Sequence, residues 1–129
     1  MTQTTFMDKY PLHSLKIPKN KTKLNDIDEI IDYYKNKIIE HPISTFISIF
    51  DHYSHTKSIN GEISPDIKNA KNIIFCFGSA IPNTKILAIR PRSIGVAELE
   101  ESFMIEFMQA PKENIQELLE VWTKELILK

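Results

Sequence analysis

The chain has 129 residues, of which 42% are hydrophobic and 26% are charged, and this is the composition of a folded globular protein rather than a disordered one. We therefore expect residues 1–129 to form a single domain. A net charge of −1 argues against a large basic surface for nucleic acid. The sequence shows no secretory signal and no apolar run of about 18 residues, so we expect a cytoplasmic protein that does not enter a membrane.

The amino-terminal part is predicted to contribute one short strand. The polar residues 1–10 are expected to form a loose terminus. From Leu12 to Ile17 apolar and polar residues alternate imperfectly, which favours a short edge strand that Pro18 ends. Residues 19–23 then form a basic connection to the next element.

An amphipathic helix is predicted after this connection. Apolar residues recur at helical spacing from Ile27 to Ile38, and Asn25 or Asp26 precedes them as a candidate cap. The helix is expected to end before the His41-Pro42 pair, because a residue that precedes proline avoids the α region.

Two strands are predicted in the middle of the chain. Alternation from Ile43 to Asp51 indicates the first strand. The second is the run of five apolar residues 73–77, which ends at Gly78 and suits a central strand buried on both faces. The polar stretch between the two strands contains Asn60-Gly61 and Ser64-Pro65, which favour turns.

The last third of the chain predicts one strand and one helix. Residues 83–89 fit a short helix or a strand equally well, and Pro91 interrupts either form. Phe103 to Met108 is predicted to be a strand, and a helix that starts at Pro111 closes the core with Trp122. The predicted fold is therefore α+β, with a mainly antiparallel sheet of four to five strands and two main helices packed on it.

The segment Arg90-Pro91-Arg92 is the most specific candidate for ligand binding. Its two arginines are the only ones among the 16 basic residues of the chain. A guanidinium group offers planar, bidentate donors that match a carboxylate or a phosphate, and the proline between the two arginines restricts the backbone there. The alternative is structural, with either arginine paired to an acid of the same chain or of a dimer partner, namely Glu98, Glu100, Glu101 or Asp51.

A second candidate cluster consists of Asp51, His52 and His55. Histidine carries protons and binds metals, and a neighbouring aspartate can fix its tautomer. On a strand, His52 and His55 would point to opposite faces, so they converge only if the chain turns there. A contact in a loop or a dimer, an acid–base role and a metal site all remain open. The chain has no second Cys or His cluster to complete a closed zinc site, and neither a metal nor another cofactor is predicted.

The order of residues from about Ile43 to Glu98 carries a resemblance to a known family. The residues concerned are Asp51-His52, Pro65, Phe77-Gly78, Thr84 and Pro91. In this order the segment resembles the bacterial domain of unknown function 302. The resemblance implies a compact α+β domain that tends to dimerise, and it implies no reaction. The whole chain, with its segment RPRSIGVAELE, is also similar to a narrower group of uncharacterised bacterial proteins.

The sequence predicts a homodimeric module that binds a small anion or a partner. The candidate ligand-binding residues are Arg90, Arg92, Asp51, His52 and His55, and we expect them to line one region because both clusters follow strands. One alternative is an enzyme in which His52 or His55 is a general base and the arginines stabilise a developing anion. The other is a purely structural dimer. No catalytic residue is assigned.

Overall fold

The computed structural model describes residues 1–128, which form an α+β fold around one six-stranded sheet. The strands are β1 (Thr2–Phe6), β2 (Tyr10–Pro18), β3 (Ser44–Phe50), β4 (Asn69–Phe77), β5 (Arg92–Glu98) and β6 (Ser102–Met108). Their order in the sheet is β1-β2-β6-β5-β4-β3, and every neighbouring pair is antiparallel. The α-helices are α1 (Ile27–Glu40), α2 (His52–Ser58), α3 (Ile86–Ile89) and α4 (Glu113–Lys124). Short 3₁₀ turns occupy Lys19–Lys21 and Glu125–Leu128.

The α+β class is confirmed, but the sheet has six strands rather than four to five, and three helices have seven or more residues rather than two. Residues 1–10, expected to be loose, contain β1, which pairs with β2. All five residues of β1 are exposed, so no buried face marked this strand in the sequence. Because β1 and β6 flank β2, the predicted edge strand lies inside the sheet. The strand β5 lies between Pro91 and the predicted strand at Phe103, in a segment for which the sequence pattern predicted no element.

The core lies between one face of the sheet and two helices. Ile73, Phe75 and Phe77 alternate along β4 with less buried residues, so only one face of this strand is deeply buried. The side chains of α1 and α4 pack against that face in one continuous cluster. The strand therefore differs from the prediction of burial on both faces, and it is the second strand from the edge.

The caps of the helices follow from the residues at their ends. Asp26 accepts a hydrogen bond from the backbone N–H of Glu29 and caps α1, as the sequence predicted. The helix α4 begins at Glu113 with Lys112 as its N-cap, two residues later than the predicted start at Pro111. The side chain of Lys112 accepts no capping hydrogen bond, so the first turn of α4 has no side-chain cap.

The opposite face of the sheet is not covered by α1 or α4. Leu12, Asn72, Glu106 and Met108 lie on this face and line a shallow depression of about 470 Å³.

No helix within residues 1–128 is both long and apolar enough to cross a bilayer.

Candidate functional site

Arg90 is held against the turn that follows β4. Its Nη1 atom donates a hydrogen bond to the carbonyl of Ala80 at 2.8 Å. The guanidinium lies so close to Gly78 that a Cβ built on this glycine would be 2.1 Å from Nη2. Gly78 also has a φ of 125°, which side-chain-bearing residues rarely adopt. The positive φ therefore favours glycine at this position, and a side chain here would displace the flexible end of Arg90.

The short helix α3 places Arg90 beside the start of β5. The amide oxygen of Asn83 accepts a hydrogen bond from the N–H of Ile86 in the turn that leads into α3, whose N-cap is Lys85. A short helix is one of the two forms that the sequence allowed. The helix ends at Ile89, and Arg90 then takes an extended conformation before Pro91. The two arginines therefore stand on either side of the point where the chain enters the sheet.

Arg92 is half-buried at the start of β5. Its Nη2 atom donates to the backbone carbonyl of Met108, which ends the neighbouring strand β6. Burial lowers the pKa of Arg92 below its ordinary value, because a charged group loses hydration inside the protein. The cation is thus partly desolvated, and within residues 1–128 its one hydrogen-bond partner is this neutral carbonyl.

Both arginines line a narrow cavity between α3 and α4, which we call the arginine slot. Its walls are apolar side chains and its charged groups are all cations. The residues that line it are Phe77, Ile86, Ile89, Arg90, Arg92, Ala110, Pro111, Lys112 and Ile115. The slot is partly open to solvent and has a volume of about 60 Å³. The arrangement offers positive charge and apolar surface to a small molecule, with no carboxylate among the lining residues.

The predicted ion pairs of the arginines do not form within the part of the chain that the structure describes. Glu98 instead binds Nζ of Lys19 at 2.7 Å. Asp51 lies 4.0 Å from Nζ of Lys71. Neither Arg90 nor Arg92 comes within 4.0 Å of a carboxylate of residues 1–128. The intrachain structural alternative for the two guanidinium groups is therefore not what the fold shows.

Asp51, His52 and His55 come together in α2, a helix that the sequence did not predict. The carboxylate of Asp51 caps it by accepting hydrogen bonds from the N–H and the hydroxyl of Ser54. The N–H of Ser54 is the main reason that the pKa of Asp51 is lowered. The rings of His52 and His55 both lie against Phe50, with centroids 4.4 and 5.5 Å from its ring. The chain does turn after β3, and both histidines are exposed.

The histidine cluster and the arginine slot lie in different regions. Phe50 pairs with Asn72 of β4, whereas Arg92 pairs with Phe75 from the other side of the same strand. Along the strand direction the two pairs are three residues apart, which is about 10 Å. Across the sheet, Phe50 and Arg92 are two strand spacings apart, which is also about 10 Å. His52 lines a separate depression with Thr56. We therefore treat the two clusters as separate candidate sites, and ligand binding at α2 stays a prediction.

Lys112 and Ile115 belong to the slot but were not singled out from the sequence. Both follow the predicted start of the last helix, and no pattern in the sequence indicated that this turn packs beside α3. Within residues 1–128, no group of three or more His, Cys, Asp or Glu side chains is arranged to hold a metal ion. The slot itself combines three cationic side chains with apolar walls.

Comparison with known proteins corrects the resemblance drawn from the sequence. The model of the family described as "Family of unknown function (DUF6858)" matches residues 1–128, so the assignment to domain of unknown function 302 is wrong. That assignment depended on short motifs at strand ends, which many α+β sheets share. No curated protein and no solved structure matches the chain. The chain belongs to the family of unknown function DUF6858.

Proposed function

We propose that this protein binds a small anion in the arginine slot. The proposal rests on one observation. Two half-buried guanidinium groups and Lys112 line the same cavity, and no acidic residue lines it. Buried or half-buried cations are usually matched by a carboxylate or another anion. Here no carboxylate of residues 1–128 fills that role for Arg90 or Arg92.

The hydrogen bonds of the arginines support this proposal because they hold the guanidinium planes in place. Arg90 is fixed by the carbonyl of Ala80, and Arg92 is fixed by the carbonyl of Met108. Each bond uses one N–H of a group that has five. The remaining donors can serve an anion without reorganisation of the side chain, which favours binding. A negative charge beside Arg92 would also offset the desolvation that lowers its pKa.

We also propose that the protein is a homodimer, formed through the sheet face that α1 and α4 leave uncovered. Met108 in β6 is 47% exposed on this face, and Ile47 in the edge strand β3, three strands away, is 48% exposed. Large apolar side chains gathered on one face of a sheet favour association. A second copy is the partner that every preparation contains, and a twofold axis would pair the face with itself.

Native mass spectrometry of gently purified protein tests both proposals in one sample. We expect the mass of two chains, and a small additional mass that disappears on mild denaturation if an anion is retained. Isothermal titration with sodium acetate and with inorganic phosphate then measures anion binding directly. A monomer mass at micromolar concentration would refute the dimer and would leave the proposed anion site unaffected.

The variant Arg90→Lys/Arg92→Lys tests the arginine slot because it keeps both charges and removes the planar donors. We expect anion affinity to fall by more than about tenfold, since an ammonium group makes no bidentate contact. We expect the free energy of unfolding to change by less than about 2 kcal/mol, because lysine can still donate to the two carbonyls. Anion binding of unchanged strength in this variant would show that the anion lies elsewhere.

A further inference from the structure

We infer that the anion of the arginine slot is a short aliphatic monocarboxylate. The inference depends on the proposed function, because it names the chemical class of the anion. It combines the charge of the slot with two properties that were not needed to propose anion binding: the apolar walls and the volume.

The walls of the slot are apolar on every element that contributes to it. Phe77 ends β4, Ile86 and Ile89 belong to α3, and Ile115 lies in the first turn of α4. Ala110 and Pro111 come from the connection that precedes α4. An inorganic anion would leave this surface without a partner, whereas a hydrocarbon chain would gain contact with it.

The charge of the slot matches a carboxylate better than a cation or a neutral molecule. Three cationic side chains line the slot, two of them half-buried guanidinium groups. A guanidinium group binds a carboxylate through two parallel N–H···O bonds. Lys112 is exposed, and it contributes positive charge at the solvent side of the slot.

The volume of the slot limits the length of the ligand. A cavity needs roughly 10 to 15 Å³ to hold one water molecule, so 60 Å³ accommodates about four to six non-hydrogen atoms. Butyrate, with six such atoms, is near this limit. A nucleotide or a long fatty acid exceeds it.

The test is a chain-length series measured by ¹H–¹⁵N NMR titration of the full-length protein. The probes are acetate, butyrate, octanoate, n-butylamine and inorganic phosphate, each as a separate sample. We expect butyrate to bind about 15-fold more tightly than acetate, because it buries two more methylenes and each contributes about fourfold. We expect no further gain for octanoate and no saturable binding of n-butylamine. The largest shifts should lie at Arg92, Lys112 and Ile115.

Two pairs of surface variants separate the roles of charge and wall. Lys112→Glu should weaken acetate and butyrate alike by about threefold or more, whereas Lys68→Glu, at the opposite end of β4, should weaken neither. Ile89→Ser should weaken butyrate several-fold and leave acetate within about twofold, because it removes only apolar surface. Ile59→Ser, also at an exposed isoleucine, is its matched control and should change neither affinity. All four positions are exposed, so we expect the four variants to fold.

The outcomes distinguish the failure of this inference from the failure of the proposed function. If phosphate and acetate bind the slot while butyrate binds no more tightly than acetate, anion binding stands and the aliphatic class is overturned. Equal binding of n-butylamine and butyrate would overturn it as well, because charge would then play no part. If none of the anions produces saturable shifts at the slot, the proposed function itself fails.

Discussion

A buried hydrogen bond between α1 and α4 provides a sharp test of how these two helices are held together. The hydroxyl groups of Tyr34 and Thr123 are 2.7 Å apart, and both residues are fully buried. Thr123 also donates its own hydroxyl hydrogen to the carbonyl of Leu119 at 2.8 Å. Because threonine has a single hydroxyl hydrogen, Tyr34 must be the donor to Thr123. Burial raises the pKa of Tyr34, so the tyrosine keeps its proton.

The direction of this hydrogen bond predicts unequal effects of removing its two ends. Thr123→Val leaves the Tyr34 hydroxyl buried without its acceptor, which should cost about 2 to 3 kcal/mol of the free energy of unfolding. Tyr34→Phe leaves Thr123 bonded to Leu119, so it should cost only about 1 kcal/mol. The double variant should be no less stable than Thr123→Val alone, because no unpaired hydroxyl remains in it.

Urea denaturation of the three variants and the natural chain measures these differences. The midpoint and slope of each transition are compared, and the exposed Thr45→Val is the control, expected to change stability by less than about 0.5 kcal/mol. The result that would refute the reasoning is additivity, in which the double variant loses the sum of the two single losses. An unchanged free energy of unfolding in Thr123→Val would also refute the reasoning, because Tyr34 would then have another acceptor.

Two further predictions concern the turn after β4 and the cap of α2. Gly78→Ala should destabilise the protein by about 1 to 3 kcal/mol in urea denaturation, because alanine is strained at this positive φ. It should also displace the Arg90 guanidinium, so a shift of the Arg90 side-chain NMR signals is expected, and an unmoved signal would contradict the contact. The folded-state pKa of Asp51 is lowered, so its contribution to stability is present above about pH 4 and is lost as the pH falls through the folded-state pKa. The stability of Asp51→Asn should therefore decrease less than that of the natural chain between pH 5 and pH 2.5, and parallel curves would contradict this.

Elements with a strong apolar period could be predicted from the sequence. The helix α1 buries Ile27, Ile30 and Ile38 on one stripe, and its cap at Asp26 was among the two candidates. The strand β6 also lies within one residue of the predicted range, Phe103 to Met108. In both cases the burial pattern repeats with the period of the element, so local sequence contains the signal.

Two elements that the sequence did not predict, α2 and β1, contain no buried residue. The helix α2 has no buried residue, and its main signal was the capping carboxylate of Asp51, which also suits a turn. The strand β1 is exposed along its whole length and is defined by its backbone pairing with β2. Such pairing is set by tertiary contacts, which are not encoded in the period of a short segment.

The candidate site shows the same division between local and distant information. Arg90 and Arg92 stood out in the sequence because the chain otherwise uses lysine. Ile115 did not stand out as a site residue, because it reaches the slot only through the packing of α4 beside α3. The expectation that the histidines share the arginine region ignored the sheet register, which separates residues that follow neighbouring strands in the chain.

Gly78 and Arg90 form one structural unit, although the sequence presents them as two separate features. A glycine after a buried strand is explained by the turn alone, and an arginine near a proline is explained by a ligand alone. The fold places the guanidinium where a Cβ of residue 78 would otherwise lie, so each residue restricts what the other position can hold. A larger residue at position 78 would push Arg90 away from the Ala80 carbonyl that orients it. The orientation of one side of the arginine slot therefore depends on a glycine that contributes no side chain to it.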